Sequence, residues 1–385
     1  MMTSLRHALA AAVIVALAVP IAYATGPASS TTSNLVCAEA TVASWTTRQL
    51  ASETIVVPVD ASQVATMVPA ARAGYGGLIV FGTVAPAGFV AGLKAVQAVV
   101  PHGLSMMVMT DEEGGGVQRL TNLTPSIPWA QTMGRTLTAY QIQALGLRVG
   151  RALARAGVNV DLAPVLDVDG RRVGPSAANP DGMRSFSGSP SAAAVDGTAF
   201  MTGLALGGVT SVVKHFPGLG GSNGNTDYGP AHTMSWSALQ TTGLVAFSYA
   251  VGHGATAIML SNASVPGLTS LPAGISPAVV KVLRETLGFT GLIVTDSLSA
   301  GAMSARHLSV PAAGVAALQA GADQLLFGIP RPPLTSMSLS NLVVRAIIAA
   351  VTAGTLTRAT LATAAAQVLA VRNVVACPPS TTTTL

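Results

Sequence analysis

The chain has 385 residues, of which half are hydrophobic and only 9% are charged, and its formal net charge is +5. The basic residues form no Lys- or Arg-rich block, which argues against a nucleic-acid-binding surface. Beyond residue 25, Gly, Pro, Arg or Asp interrupts every apolar run before the ~18–20 residues that a membrane-spanning helix needs. We therefore expect one large core and no stable membrane span in the mature chain.

The first 24 residues are predicted to be a signal peptide. Arg6 and His7 form a short basic region, an apolar stretch follows, and Ala22-Tyr-Ala24 fits the small-x-small cleavage pattern. A retained anchor is the less favoured alternative, because about 15 apolar residues are too few to span a membrane comfortably. We therefore expect an exported protein, either secreted or in the cell envelope, with residues 25–44 as a flexible lead-in.

Eight short apolar runs bounded by Gly or polar residues are predicted to be β-strands. Most gaps between them contain an Ala- and Leu-rich stretch with helical periodicity, such as 137–156 and 278–287. This repeat is typical of a single α/β domain with a (β/α)8 barrel of the TIM type, placed at residues 45–376. A doubly wound open sheet is the alternative, but no Gly-rich dinucleotide turn follows the first strand. The predicted strands are residues 53–59, 77–81, 105–110, 158–166, 209–216, 256–261, 291–295 and 323–327.

Charged residues are concentrated where these strands end. Asp111 follows the third strand, Lys214 and His215 lie near the end of the fifth, and Asp296 follows the seventh. Barrel enzymes build their active sites at this face, because the strand ends and the loops after them converge there. One Asp after a strand is often only a helix N-cap. Several charged strand ends at one face favour an active site instead.

Five motifs in these positions resemble the family 3 glycoside hydrolases, and specifically the single-domain β-N-acetylglucosaminidase branch. The resemblance covers roughly residues 45–330, and the Lys-His-Phe-Pro-Gly motif followed later by Thr-Asp on a strand is its most specific part. The motifs are Asp111-Glu-Glu-Gly-Gly-Gly-Val-Gln-Arg-Leu120, Ala163-Pro-Val-Leu-Asp-Val168, Arg184-Ser-Phe186, Lys214-His-Phe-Pro-Gly218 and Thr295-Asp-Ser-Leu298.

The resemblance implies a role for each matching residue. Asp296 would be the nucleophile, forming a covalent glycosyl-enzyme that water resolves with net retention. The expected substrate is a terminal β-linked N-acetylglucosamine of a peptidoglycan fragment or a related oligosaccharide, and the enzyme is expected to be a monomer. The residues that would bind the sugar hydroxyls are Asp111, Arg119, Arg184, Lys214 and His215. For His215 the alternative is a core histidine, and for Arg184 a surface ion pair.

The sequence departs from the family pattern in the loop after the fifth strand. Family members carry an Asp-Ser-His segment there, whose Asp–His pair supplies the general acid and base. Asp227 matches the aspartate, but Gly229 occupies the histidine position. Three hypotheses follow. Asp227 is itself the acid, with its pKa raised by burial; His232 swings into the site; or the protein binds sugar with little or no catalysis.

Other classes of function are less favoured. A non-catalytic saccharide-binding protein on the same barrel has no need of a carboxylate at position 296, and a β-glucosidase would not require the acetamido group. A metal site is not expected, because the six histidines are scattered without ligand spacing. No cofactor is expected either, since the acidic segment at 111–116 would repel phosphate.

Cys37 and Cys377 are the two cysteines of the chain and lie near opposite ends of it. The first and last elements of a closed barrel are neighbours, and exported proteins meet oxidising surroundings, so we predict a disulfide between them. Two free thiols are the alternative. Lipidation of Cys37 is disfavoured, because Leu35 and Val36 precede it instead of a small residue. Residues 377–385 are predicted to be a disordered tail.

Overall fold

The computed structural model describes residues 28–332 and 335–372, and only the backbone of residues 28–33. The predicted signal peptide, Cys377 and the predicted tail lie outside the described residues, so these three remain predictions. A membrane-spanning helix is not found within the described residues, since none of their helices is both long and apolar enough.

The described strands form one seven-stranded parallel sheet and one small hairpin. The sheet follows the chain in the order β1-β2-β3-β6-β7-β8-β9, while β4 pairs only with β5 and is antiparallel to it. Strand order that follows the chain is what a curled βα repeat requires. The strands are β1 Val56–Asp60, β2 Gly77–Phe81, β3 Met107–Thr110, β4 Glu112–Gly114, β5 Val117–Gln118, β6 Val160–Asp161, β7 Thr210–Phe216, β8 Ala257–Leu260 and β9 Leu292–Thr295.

The eighth predicted strand closes this sheet. Gln324 bridges Val294 of β9 and Leu325 bridges Ile55, and both bridges are parallel. The Leu325 N–H also donates to the Thr54 carbonyl over 2.7 Å. The predicted barrel is therefore confirmed, with all eight apolar runs at barrel positions and the last one present as bridges instead of a regular strand.

Helices lie between successive strands, as the periodicity predicts. The described residues contain α1 Ala28–Val42, α2 Thr47–Glu53, α3 Val68–Arg72, α4 Phe89–Gln97, α5 Ala130–Thr136, α6 Ala139–Ala156, α7 Pro190–Leu206, α8 Trp236–Leu239, α9 Gly243–Gly252, α10 Pro277–Lys281, α11 Gly301–Ser304, α12 Val310–Ala320, α13 Ser336–Thr352 and α14 Arg358–Val371. The longest, α6, begins with a capping box between Thr138 and Gln141 and ends at Gly157, whose φ of 87° suits a left-handed C-cap.

The core divides into two layers because strand side chains alternate in direction. Leu78 and Val80 of β2 pack outward in the large cluster beneath the helices, whereas Ile79 belongs to a second cluster with residues of the other strands. This second cluster fills the barrel interior, as in other (β/α)8 folds. It includes Leu162 and Met259, which reach the end of the barrel where the strands terminate.

Two local features differ from the predicted strands. The strand expected at 158–166 is assigned only over Val160–Asp161, because Pro164 has no N–H to donate to a neighbouring strand. The β4–β5 hairpin falls in the acidic glycine-rich segment, where no strand was expected. Its turn uses Gly114 and Gly115, whose φ angles of 110° and 58° favour glycine.

The expectation of a flexible lead-in at 25–44 is wrong for most of its length. Residues Ala28–Val42 form α1, which packs beside α14. Cys37, Ala38 and Val42 are buried there. Burial of the apolar residues in the second half of the segment stabilises the helix. The Ser- and Thr-rich composition of the first half had suggested a flexible segment instead.

Candidate active site

The carboxyl ends of the strands enclose a cavity of about 350 Å³, a size suited to a small ligand. Four side chains of the barrel interior form its apolar floor: Ile79, Leu162, Met259 and Leu326. Eight ionisable residues also line it: Asp111, Glu113, Arg119, Arg184, Lys214, His215, Asp227 and Asp296. Seven of the eight residues predicted for catalysis and sugar binding therefore meet in one place; His232 is the exception.

Lys214, near the end of β7, is held between two carboxylates. Its Nζ lies 2.7 Å from Asp111 Oδ1 and 2.7 Å from Glu113 Oε1. Burial of this side chain disfavours its charged form, but the two carboxylates outweigh that effect and raise the pKa of Lys214. The lysine is thus a fixed cationic donor facing the cavity.

Arg184 forms a bidentate ion pair with Glu113. Its Nε and Nη2 each lie 2.8 Å from a Glu113 oxygen, and its Nη1 donates to the Pro180 carbonyl over 2.8 Å. Burial opposes ionisation of Glu113, but the charges of Arg184 and Lys214 prevail and hold its pKa well below the ordinary value. Arg184 is therefore part of the cavity wall, not a surface ion-pair residue.

Arg119 lies nearer the mouth of the cavity. Its Nε is 3.7 Å from Asp111 Oδ2, and its guanidinium group sits 5.9 Å from the centre of the Phe81 ring. Both contacts orient the side chain, and the ring adds a weak cation–π attraction. With Lys214 on its other oxygen, Asp111 thus contacts two cations of the site.

His215 is oriented by a buried carboxylate. Its Nδ1 lies 2.7 Å from Asp167 Oδ2, while Asp167 Oδ1 accepts from the backbone N–H groups of His215 at 3.2 Å and Leu219 at 2.7 Å. The Lys214–His215 peptide bond is cis, and both side chains line the cavity. His215 is therefore buried at the site wall with a fixed ring, as a residue that contacts ligand needs to be.

Sequence reasoning missed Glu113 and Asp167, although both lie within the motifs that carry the resemblance. Glu113 is two residues from Asp111, and that spacing puts both side chains on one face of an extended segment. Glu112, between them, points away and accepts the backbone N–H groups of Arg119 and Leu120. The alternation was visible in the sequence and could have identified Glu113.

Asp296 directly follows β9. Its backbone N–H donates to the Leu260 carbonyl over 3.1 Å, and its Oδ1 accepts the Ser297 N–H over 2.6 Å. One carboxylate oxygen is thereby fixed, and the group is half-buried at the cavity wall.

Asp227 lies on the loop after β7 and lines the same cavity near its exposed mouth. Partial removal from water and the negative charge of Asp296 raise the pKa of Asp227, while Arg184 and His215 oppose the shift. A carboxyl group that keeps its proton more readily than usual is suited to general acid work.

Gly229 stands where the family pattern has a histidine, and His232 is the nearby histidine that could replace it. The structure does not bring His232 to the cavity: it is exposed, and its Nδ1 lies 2.9 Å from the Thr233 carbonyl oxygen. A role for it would need a rearranged loop. At Gly229 a Cβ atom would meet nothing within 4 Å, so this position has room for a small side chain.

A sequence model described as the glycosyl hydrolase family 3 N terminal domain matches residues 53–371. The chain belongs to glycosyl hydrolase family 3. The family predicted from the five motifs is thus confirmed. The match covers every strand of the barrel and leaves out α1 and most of α2.

The chain is similar to several named proteins. The β-hexosaminidase LpqI of Mycobacterium tuberculosis is 35% identical over 246 residues, or 60% of this chain and 61% of LpqI. An uncharacterized secreted glycosyl hydrolase of Arthroderma benhamiae is 32% identical over 295 residues, or 73% of this chain and 80% of that protein. The crystal structure of β-N-acetylhexosaminidase from Beutenbergia cavernae superposes with a TM-score of 0.76 at 30% identity, covering 86% of this chain and 100% of that one.

The printed names of the bacterial relatives are those of β-hexosaminidases or of a β-N-acetylhexosaminidase. The chain spans about three fifths of the length of LpqI.

Within residues 28–332 and 335–372, the family 3 chain has no group of three or more His, Cys, Asp or Glu side chains that could hold a metal ion.

Proposed function

We propose that the protein is an exported, retaining exo-glycosidase that releases terminal β-linked N-acetylglucosamine from cell-wall fragments or related oligosaccharides. The observation that carries the proposal is the shared cavity of Asp296 and Asp227, two carboxyl groups flanking one site. The names of the relatives support the sugar, and the secreted relative together with the predicted signal peptide supports export.

The charges of the cavity favour an uncharged terminal sugar. Lys214 and Arg184 are already neutralised by Asp111 and Glu113, so neither cation is available for an anionic ligand. Their remaining donors can hydrogen-bond sugar hydroxyls, and charge-assisted bonds of this kind are strong and directional. The apolar floor ends the cavity at the barrel interior, which suits removal of one residue from a chain end.

In the proposed first step, a carboxylate oxygen of Asp296 bonds to the anomeric carbon as the glycosidic C–O bond breaks, and Asp227 gives its proton to the departing oxygen. In the second step, Asp227 takes a proton from water, the water oxygen bonds to the anomeric carbon, and Asp296 leaves. Both steps invert the centre, so the product keeps the substrate configuration.

The coupling of the two carboxyl groups suits this sequence. While Asp296 is ionised, its charge raises the pKa of Asp227 and favours the acid form. Once Asp296 is an ester that charge is gone, and Asp227 gives up its proton more easily. The residue therefore changes from acid to base as the reaction requires.

A saccharide-binding protein with little or no turnover is the second candidate, favoured by Gly229 in the histidine position. Asp227 has no imidazole beside it on the loop, so all proton transfer depends on one carboxyl group. In this case Asp111, Arg184 and Lys214 would hold a sugar that is never cleaved.

The deciding experiment is an assay of the purified mature chain on aryl β-N-acetylglucosaminide and aryl β-glucoside, with Asp296→Asn as the control. The amide is nearly isosteric, so folding and sugar binding should survive while hydrolysis is lost. Activity on neither glycoside, with sugar binding intact, would favour the binding protein. Undiminished activity of Asp296→Asn would remove Asp296 from its proposed role.

A further inference from the structure

The loop that carries Asp227 is bonded to the segment that follows Asp296. The backbone N–H of Gly301 donates to the Asp227 carbonyl over 3.0 Å, and that of Ala302 donates to the Thr226 carbonyl over 2.9 Å. These are the first two N–H groups of α11, and the N-cap residue Ala300 supplies no side-chain cap. First-turn N–H groups have no partner within their own helix, so the loop carbonyls take that place.

Gly301 permits this contact because it has no side chain. A Cβ atom at position 301 would lie 2.6 Å from the carbonyl carbon of Tyr228 and 2.7 Å from the nitrogen of Gly229. Both are backbone atoms and cannot rotate away, so any larger residue would displace the loop.

The segment between Asp296 and Gly301 is also fixed. The Leu298 N–H donates to the Leu326 carbonyl over 2.8 Å, and the Asn262 side chain donates to the Ser297 carbonyl over 2.8 Å. A side chain at position 301 would therefore displace the loop that carries Asp227 and leave the segment that follows Asp296 in place.

We propose that Gly301 is a positioning residue that sets the separation between the Asp227 and Asp296 carboxyl groups. The inference rests on the proposed function of Asp227 as the proton donor. Gly301 is not among the residues that line the cavity, and it acts through the backbone of the loop. Small displacements of a catalytic group cost about 10²-fold in rate per ångström, so the contact matters for turnover.

The test compares Gly301→Ala with Gly229→Ala. Both replace a glycine by alanine where the loop backbone lies against position 301, but only the Cβ atom at position 301 would meet the loop. In Gly301→Ala, kcat on an unactivated disaccharide should fall about 10- to 100-fold with little change in KM. An aryl glycoside with a good leaving group needs little proton donation, so its kcat should stay within about threefold. Gly229→Ala should leave both substrates unchanged, because its Cβ meets nothing within 4 Å. Unchanged kcat in Gly301→Ala, or equal loss on both substrates, would overturn the inference.

Asp227→Asn separates this inference from the proposed function. If Asp227→Asn retains full activity on the disaccharide, the assignment of the acid is wrong. If it loses activity while Gly301→Ala does not, only the role of Gly301 is wrong. In the Asp227→Asn background, Gly301→Ala should cause no further loss. Hydrogen exchange of the unaltered protein needs no variant to fold: the Gly301 and Ala302 amides should be protected, and exchange at the rate of exposed amides would contradict a bonded loop.

Discussion

Asp296 and Asp227 line one cavity, and the charge of the first raises the pKa of the second. This relationship joins the end of β9 to the loop after β7, 69 residues earlier in the chain (296 − 227). It makes the protonation of Asp227 depend on the state of Asp296, and several consequences can be measured.

The first prediction concerns pH. Asp227 must be protonated to act as the acid, so kcat/KM should fall as the pH rises through its raised pKa. Burial is the larger cause of the raised pKa and the charge of Asp296 adds to it, so removing that charge in Asp296→Asn should lower the pKa of Asp227. NMR titration of the Asp227 carboxyl carbon in both proteins measures the difference. Identical titration curves would mean that the two groups do not interact.

The second prediction restores the missing histidine. A Cβ atom at position 229 would meet nothing within 4 Å, so we expect the chain to tolerate Gly229→His, two residues from Asp227. We expect kcat on an unactivated disaccharide to rise up to about tenfold, a modest share of the 10²–10⁴ typical of general acid–base catalysis. The basic limb of the pH–rate profile should move toward the ordinary range of histidine. Gly229→Asn, of similar polarity but without a titrating group, is the control and should leave the profile in place.

The third prediction concerns Glu113. Glu113→Gln removes the charge that holds Arg184 and Lys214, leaving buried cations with one partner fewer. Breaking a buried ion pair from one side typically costs ~3–5 kcal/mol, and KM should rise because both donors lose their orientation. Urea unfolding and steady-state kinetics measure the two effects.

Glu285→Gln is the matched control for that change. Glu285 pairs with Lys281 at 3.8 Å, but both side chains are exposed. Exposed pairs are worth ~0–1 kcal/mol, so this variant should be nearly neutral in stability and in KM. Equal destabilisation by the two substitutions would show that Glu113 does no more than a surface carboxylate.

The fourth prediction concerns Asp323, which is buried where the barrel closes and bonds Arg284 and the Ile293 N–H, each over 2.7 Å. Burial raises the pKa of Asp323 from 3.8 to about 7, against the opposing effect of Arg284. The folded state thus keeps a proton that the unfolded chain releases. The stability due to this group is present below pH 3.8 and is lost as the pH rises to about 7.

Asp323→Asn should therefore flatten the decline in the free energy of unfolding between pH 4 and pH 7. The amide keeps an acceptor for Arg284 but does not titrate. Urea unfolding at several pH values gives the comparison, and parallel curves for the two proteins would rule out titration of Asp323 in that range.

The sequence predicted the barrel well because buried parallel strands are short, nearly continuous apolar runs. It predicted less where one residue overrides the pattern. Pro164 shortens the fourth predicted strand, and Gly114 and Gly115 turn an apparent loop into a hairpin. Helix α1 was missed because its stability comes from packing against α14, at the other end of the chain.

The site was predictable in its charged strand ends but not in its pairings. Glu113 and Arg184 are 71 residues apart, and Asp167 and His215 are 48 apart. Which carboxylate meets which cation depends on how the loops converge in three dimensions, and no local pattern encodes it. The residues that hold others in place, Glu113 and Asp167, were therefore the ones overlooked.

The pairing of Lys214 and Arg184 with Asp111 and Glu113 also determines how a ligand arrives. Because these opposite charges cancel within a few ångströms, the site projects little long-range field into the solvent. Diffusional capture should then depend on the shape of the opening, and association rates should vary little with ionic strength.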